Sequence, residues 1–189
     1  MHPYFRKSGI DYPPKKIVLI GLKREKLLEV WASMEDSRYS LVRTYPILST
    51  SGEPGPKLQE GDGQMPEGFY RIESLNPNSS YHLSLRINYP NDFDLRHARR
   101  EGRTNPGGDI MIHGGRASLG CLAMGDRVAE ELFVLAADVG VKNIRVIMSP
   151  VDFRKGAEVV SRESMPPWTD ELYAQIKSEL EVLQTDAGR

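Results

Sequence analysis

Apolar residues recur mostly at every second position over the first two thirds of this chain, and at every third or fourth position near its end. Lys16–Lys23, Lys26–Met34 and Tyr39–Leu48 are alternating or β-branched runs. The short polar breaks Arg24-Glu25 and Glu35-Asp36-Ser37-Arg38 separate them, which is the pattern of a β-meander. Strand patterning returns at Phe69–Leu75 and Tyr81–Tyr89, at the short Asp109–His113 and at residues 143–150. Helical spacing is convincing in two places. Val128, Leu132, Leu135, Ala136 and Val139 share one face, with Gly140 as the stop. A second helix is predicted after Pro166-Pro167, with Thr169 as its N-cap and Leu172, Ile176, Leu180 and Leu183 on its buried face. This order predicts a mainly antiparallel β domain with two late helices.

Two long stretches interrupt the strands. Residues 48–68, LSTSGEPGPKLQEGDGQMPEG, concentrate glycine, proline and small polar residues. They are too many for an ordinary hairpin connection and mark a candidate functional loop. Residues 89–109, YPNDFDLRHARREGRTNPGGD, read as a second such loop, which gathers Arg96, His97, Arg99, Arg100 and Arg103.

Composition excludes more than it selects. A length of 189 residues suits one domain of ordinary size. With 25 basic and 26 acidic residues the net charge is −1, so no overall field draws in nucleic acid or an anionic membrane. The arginines of 89–109 also lack the interleaved aromatics that nucleic-acid binding uses. The longest apolar run, Ile17–Ile20, is too short to span a bilayer and follows Lys15-Lys16 rather than a signal-peptide pattern. One cysteine allows neither an internal disulfide nor a multi-cysteine zinc site. His2, His82 and His97 lie in unrelated segments without ligand spacing, so neither a metal nor a cofactor is expected.

The single cysteine, Cys121, lies in DIMIHGGRASLGCLAMGD (109–126), eight residues after His113. A neighbouring imidazole can take a thiol's proton and make it a nucleophile. Glycines at 114, 115, 120 and 125 let the chain turn tightly and leave N–H groups free to face a developing oxyanion. On residue type alone, a buried structural thiol beside a satisfied core histidine is the commoner arrangement. A serine-hydrolase elbow fails because Arg116 stands two residues before Ser118, and no Gly-Lys-Ser/Thr follows the glycines to make a P-loop.

The segment IHGGRASLGCLAM resembles the active-site motif of the L,D-transpeptidases, the YkuD-type cell-wall enzymes, in which His-Gly precedes Ser-x-Gly-Cys. TYPI (44–47), GEPGPKLQEGDGQMPEGFY (52–70), LNPNSSYHLSLRINYPNDFD (75–94) and GRT (102–104) resemble, in order, the murein L,D-transpeptidase and endopeptidase branch. The similarity runs over roughly residues 16–150. It implies a mainly β fold, an L,D-transpeptidase-like β-sandwich with two short-to-medium helices. The implied division is an N-terminal extension (1–15), a catalytic domain (16–150) and a C-terminal helical extension packed on it (151–189).

The resemblance also implies a chemistry. Cys121 would attack the carbonyl between the diamino acid and D-Ala of a peptidoglycan tetrapeptide stem, with His113 as base and then acid. The N–H groups of Cys121 and Gly120 would hold the oxyanion, in a loop shaped by Gly114 and Ser118. An acceptor amine gives transpeptidation and water gives endopeptidase or carboxypeptidase activity, including release of a wall-linked lipoprotein; a silent wall-binding module is the non-enzyme alternative. Stem carboxylates point to Lys57 and Arg103 as binding residues, and Tyr89 and Asn91 of Tyr-Pro-Asn as cleft lining. His82 is read as structural, Asp62-Gly63 as a turn and Met124 as packed. Most L,D-transpeptidases carry a histidine two residues before the cysteine and an arginine or asparagine two after it, where Leu119 and Ala123 stand here. The implied location is the periplasm or cell envelope, on the assumption that an export signal lies outside this sequence.

Overall fold

The computed structural model describes residues 1–35, 38–159 and 165–187. Asp36 and Ser37 of the predicted polar break, and residues 160–164 of the predicted C-terminal extension, lie outside the described residues. The strands are β1 (Lys16–Leu22), β2 (Leu27–Ser33), β3 (Ser40–Pro46), β4 (Gly68–Ser79), β5 (His82–Ile87), β6 (Met111–His113), β7 (Leu122–Ala123) and β8 (Ile144–Ser149). The helices are α1 (His2–Ser8), α2 (Asp92–Arg100), α3 (Asp126–Val139) and α4 (Thr169–Ala187).

All eight strands join one sheet in the order β3-β2-β1-β8-β4-β5-β6-β7. The predicted meander is its first three strands. Parallel pairings between β1 and β8, and between β6 and β7, modify the mainly antiparallel expectation. Past the end of β3, Ser49 bridges to Ala123 of β7, so the two edges of the sheet meet and the sheet curls into a half-barrel. Inside the curl lies the larger core, which includes Leu19, Val30, Ile72, Ile87, Ile112 and Leu122 and is covered by α3 through Leu132 and Leu135.

The other face of the sheet is only half covered. Val18, Ile20 and Ile147 point outward from β1 and β8 and meet Leu172, Ile176, Leu180 and Leu183 of α4. The predicted face of that helix is therefore buried as expected. Thr169 differs from its predicted capping role: its hydroxyl donates to Pro166 O at 2.7 Å. Beyond α4, the outer face of β5, β6 and β7 carries the candidate chemistry, with His113 and Ala123 buried and Arg86 and Cys121 half-buried.

Two helices were not expected. Within the predicted 89–109 loop, Asp92–Arg100 is α2, capped reciprocally by Asn91 and Asp94. Its fully buried residues are only Asp94 and Ala98, with Phe93 half-buried against the second core, too little for an obvious apolar run. In the predicted N-terminal extension, α1 starts at the Pro3 turn, ends at Gly9 in the left-handed region and buries Phe5 in the main core.

Candidate active site

Register places His113 and Cys121 on one face. Ile112 pairs with Leu122 and His113 with Ala123 in parallel, and successive side chains alternate. Ile112 and Leu122 fill the core, so His113 points outward. Cys121, one residue before β7, falls across from Met111 on that same outer face, and the Met111 amide faces its sulfur. The two side chains thus stand diagonally on neighbouring strands, two residues apart along the sheet, a diagonal of about 7–8 Å.

His113 is 2% exposed and its ring is oriented by backbone. Its Nδ1 lies 2.6 Å from Gly114 O. A carbonyl only accepts, so Nδ1 carries the proton and Nε2 keeps a lone pair. The Tyr81 ring covers the imidazole at a centroid distance of 4.6 Å. Burial holds His113 below the ordinary histidine value, against the Gly114 hydrogen bond. Gly114 is required here, because an added Cβ would lie 2.7 Å from Tyr81 O and from Asp126 Oδ1.

The Cys121 thiol donates to Asp109 O at 3.5 Å. Burial pushes it above the ordinary thiol value, the Met111 amide and the Lys57 charge pull it down, and Asp109 pushes it further up. Both shifts favour the neutral forms, a thiol on Cys121 and an imidazole on His113. Ser118 Oγ donates to Cys121 O at 2.7 Å, which ties the loop below the sulfur. Gly120 has φ +89 and donates its N–H to Ser51 Oγ at 2.7 Å. That N–H is already engaged, so the expected second oxyanion donor is occupied in this structure.

The 48–68 loop forms the wall behind Gly120, and two buried lysines hold it. Lys23 donates to Gly55 O, Gln64 Oε1, Met65 O and Glu67 Oε1 at 2.7–3.1 Å. Glu67 also accepts from Gly55 N and from Tyr173 of α4. Lys57 donates to Gln59 O and Asp62 Oδ1, and Asp62 accepts three backbone amides of the turn. Lys57 is thus 7% exposed and paired, acting on Cys121 by charge alone.

The other expected binding residues are likewise engaged. Arg103 is held by Glu101 and Leu58 O. Tyr89 is buried and donates to Pro106 O at 2.9 Å. Asn91 caps α2 and donates to Phe69 O. His82 meets Glu130 of α3 at 2.8 Å, in keeping with a structural part. Leu119 projects from the loop, 87% exposed, whereas Ala123 is buried. Gly114 O and Tyr81 escaped the sequence reading as partners of His113. A His-Gly-Gly at the end of a strand was the available signal for the first.

A family model for the L,D-transpeptidase catalytic domain, YkuD, matches residues 15–152. The chain belongs to the L,D-transpeptidase catalytic-domain family. YafK of Escherichia coli (strain K12), a protein named as a candidate L,D-transpeptidase, is 37% identical over 113 residues, which cover 59% of this chain and 43% of YafK. The helical cell shape determining protein Pgp2 from Campylobacter jejuni has a similar structure, with TM-score 0.58 and 25% identity over 80% of this chain and 52% of Pgp2. Bd1075 of Bdellovibrio bacteriovorus shares the fold at TM-score 0.51 and 19% identity, over 90% of this chain and 56% of that one. The chain spans about half the length of these relatives. Among the described residues no His, Cys, Asp and Glu side chains gather into a metal-binding group, and no helix is long and apolar enough to cross a membrane.

Proposed function

We propose that this L,D-transpeptidase domain is a peptidoglycan cysteine acyltransferase of the cell envelope, with Cys121 as nucleophile and His113 as general base. The observation that carries this reading is the Nδ1–H bond from His113 to Gly114 O, which leaves Nε2 basic on the face that holds Cys121. The thiol proton passes to Nε2 as sulfur attacks the carbonyl between the diamino acid and D-Ala. The Cys121 N–H receives the oxyanion. Collapse of the adduct expels the D-Ala amine, protonated by the His113 imidazolium, and leaves a thioester on Cys121. An acceptor amine or water, deprotonated by His113, then releases the acyl group.

Hydrolysis is the second reading, and Leu119 and Ala123 favour it. Neither side chain offers a polar group to orient an acceptor amine, and transfer outruns water only when that amine is well placed. A wall-linked lipoprotein would be released by the same hydrolytic step. Incubation with defined tetrapeptide stems, read by mass spectrometry, tests both. The proposal expects D-Ala release and a thioester on Cys121, both absent from Cys121→Ala. Unchanged stems and an unmodified Cys121 overturn it. Mainly 3–3 cross-linked dimers with little tripeptide would overturn the hydrolytic reading alone.

A further inference from the structure

The row of outward residues that ends at Cys121 continues across β6. Arg86 of β5 pairs with Met111, so Arg86, Met111 and Cys121 stand side by side. With strands about 4.8 Å apart, the Arg86 backbone lies about 10 Å from that of Cys121. Arg86 is held by Glu73 at 3.1 Å and by Asp109 Oδ1 at 2.6 Å. Asp109 is the residue whose carbonyl accepts the Cys121 thiol, and its left-handed φ of +54 turns carbonyl and carboxylate to these two tasks.

From Arg86 a groove of about 650 Å³ runs along the outer face of β4 and β5 to α2, lined among others by Arg71, Asn88, Asp92 and Arg96. Glu73 and Asp109 offset Arg86. Asp92 sits at the first residue of α2, where the helix amides offset its charge. Arg71 and Arg96 are exposed and form no ion pair with any described residue. Asn88 accepts the Arg71 amide through Oδ1 at 2.7 Å, and its amide group belongs to the groove wall. Two guanidinium groups with no ion-pair partner among the described residues, in a concave polar groove, suit carboxylates, which their planar donor pairs grip two bonds at a time.

We propose that this groove is the carboxylate-binding arm of the Cys121 cleft, and that it selects donor peptides whose free carboxylate reaches Arg71 and Arg96; β4 lies three strands from β7, about 14 Å between backbones, and an extended arginine side chain spans part of that gap. A glutamate joined through its side-chain carboxyl to the diamino acid presents its α-carboxylate at that reach. The inference rests on Cys121 as the acyl-transfer nucleophile. The fold divides the arginines of 89–109: Arg96 faces the groove, Arg103 is spent on Glu101 and Leu58 O, and the strands supply Arg71 and Arg86.

The test is calorimetric titration of Cys121→Ala protein with a tetrapeptide stem carrying that free α-carboxylate, and with the same stem amidated there. The free acid should bind about tenfold or more tightly than the amide. Arg71→Ala/Arg96→Ala in the same background should erase the preference, whereas Arg127→Ala should keep it. Equal affinities, or a preference that survives in the double variant, overturn the arm. D-Ala release by the unmutated protein separates the two claims. Release without an acid preference overturns the arm and leaves the Cys121 reading standing. An arginine-dependent preference without release upholds the arm as a binding site and overturns the acyl transfer. Neither binding nor release overturns both.

Discussion

Lys23→Met removes the ammonium that ties the 48–68 loop to the sheet while keeping side-chain length. Lys23 is 2% exposed, as is Glu67, so the substitution strands a carboxylate out of water with only Gly55 N and Tyr173 Oη as donors. Removing one partner of a buried ion pair costs about 3–5 kcal/mol, and each kcal/mol lowers Tm by about 2–4 °C in a domain of this size. A drop of about 6–20 °C in thermal unfolding at pH 7 is expected. Adding Glu67→Gln neutralises the stranded group and keeps the Tyr173 bond, so the double variant should recover about half of the loss. Gln64 O lies 2.9 Å from where a Gly120 Cβ would be, so D-Ala release should also fall at temperatures where the variant is folded. A Tm shift under about 2 °C, or a double variant less stable than the single one, would refute the clamp.

Iodoacetamide should alkylate Cys121 at a rate that climbs with pH beyond 9, because burial raises the thiol and lowers His113; a plateau between pH 5 and 8 would instead reveal a preformed thiolate–imidazolium pair. Burial raises Asp94 from 3.8 to about 6, so its contribution to stability is full below pH 3.8 and is lost as pH rises through about 6. The loss amounts to about 3 kcal/mol, so the stability of wild type relative to Asp94→Asn should fall between pH 4 and 6 by urea unfolding, and a flat difference rejects the assignment. Gly114→Ala should cost about 1–3 kcal/mol by overpacking against Tyr81 O, and should slow D-Ala release by moving the carbonyl that orients His113; unimpaired release rules out that orienting part.

The sequence by itself determined what is local. Alternation in Lys16–Lys23 and its neighbours specifies the meander, and the spacing of Leu172, Ile176, Leu180 and Leu183 specifies the buried side of α4. His-Gly-Gly and Ser-Leu-Gly-Cys carried the family and the proposed catalytic pair, because a motif is a short run of side chains. Tertiary structure decided what depends on partners far along the chain. The two-residue β7 is too short for any period and exists because β6 offers it an edge. α2 hides because Asp94 and Ala98 are its only fully buried residues, although Asn91 and Asp94 stood at capping-box spacing in the sequence. Lys57 and Arg103 were of suitable types to bind substrate, and the fold pairs each with the protein's own polar groups, whereas Tyr89 and Asn91 are hydrogen-bonded within the protein and also line the groove beside Arg86. Arg86 was an ordinary outward residue of a strand until pairing with β6 set it in line with Cys121. Side-chain period is a property of neighbours in sequence, whereas strand register joins residues dozens of positions apart, and the composition of this cleft is a matter of register.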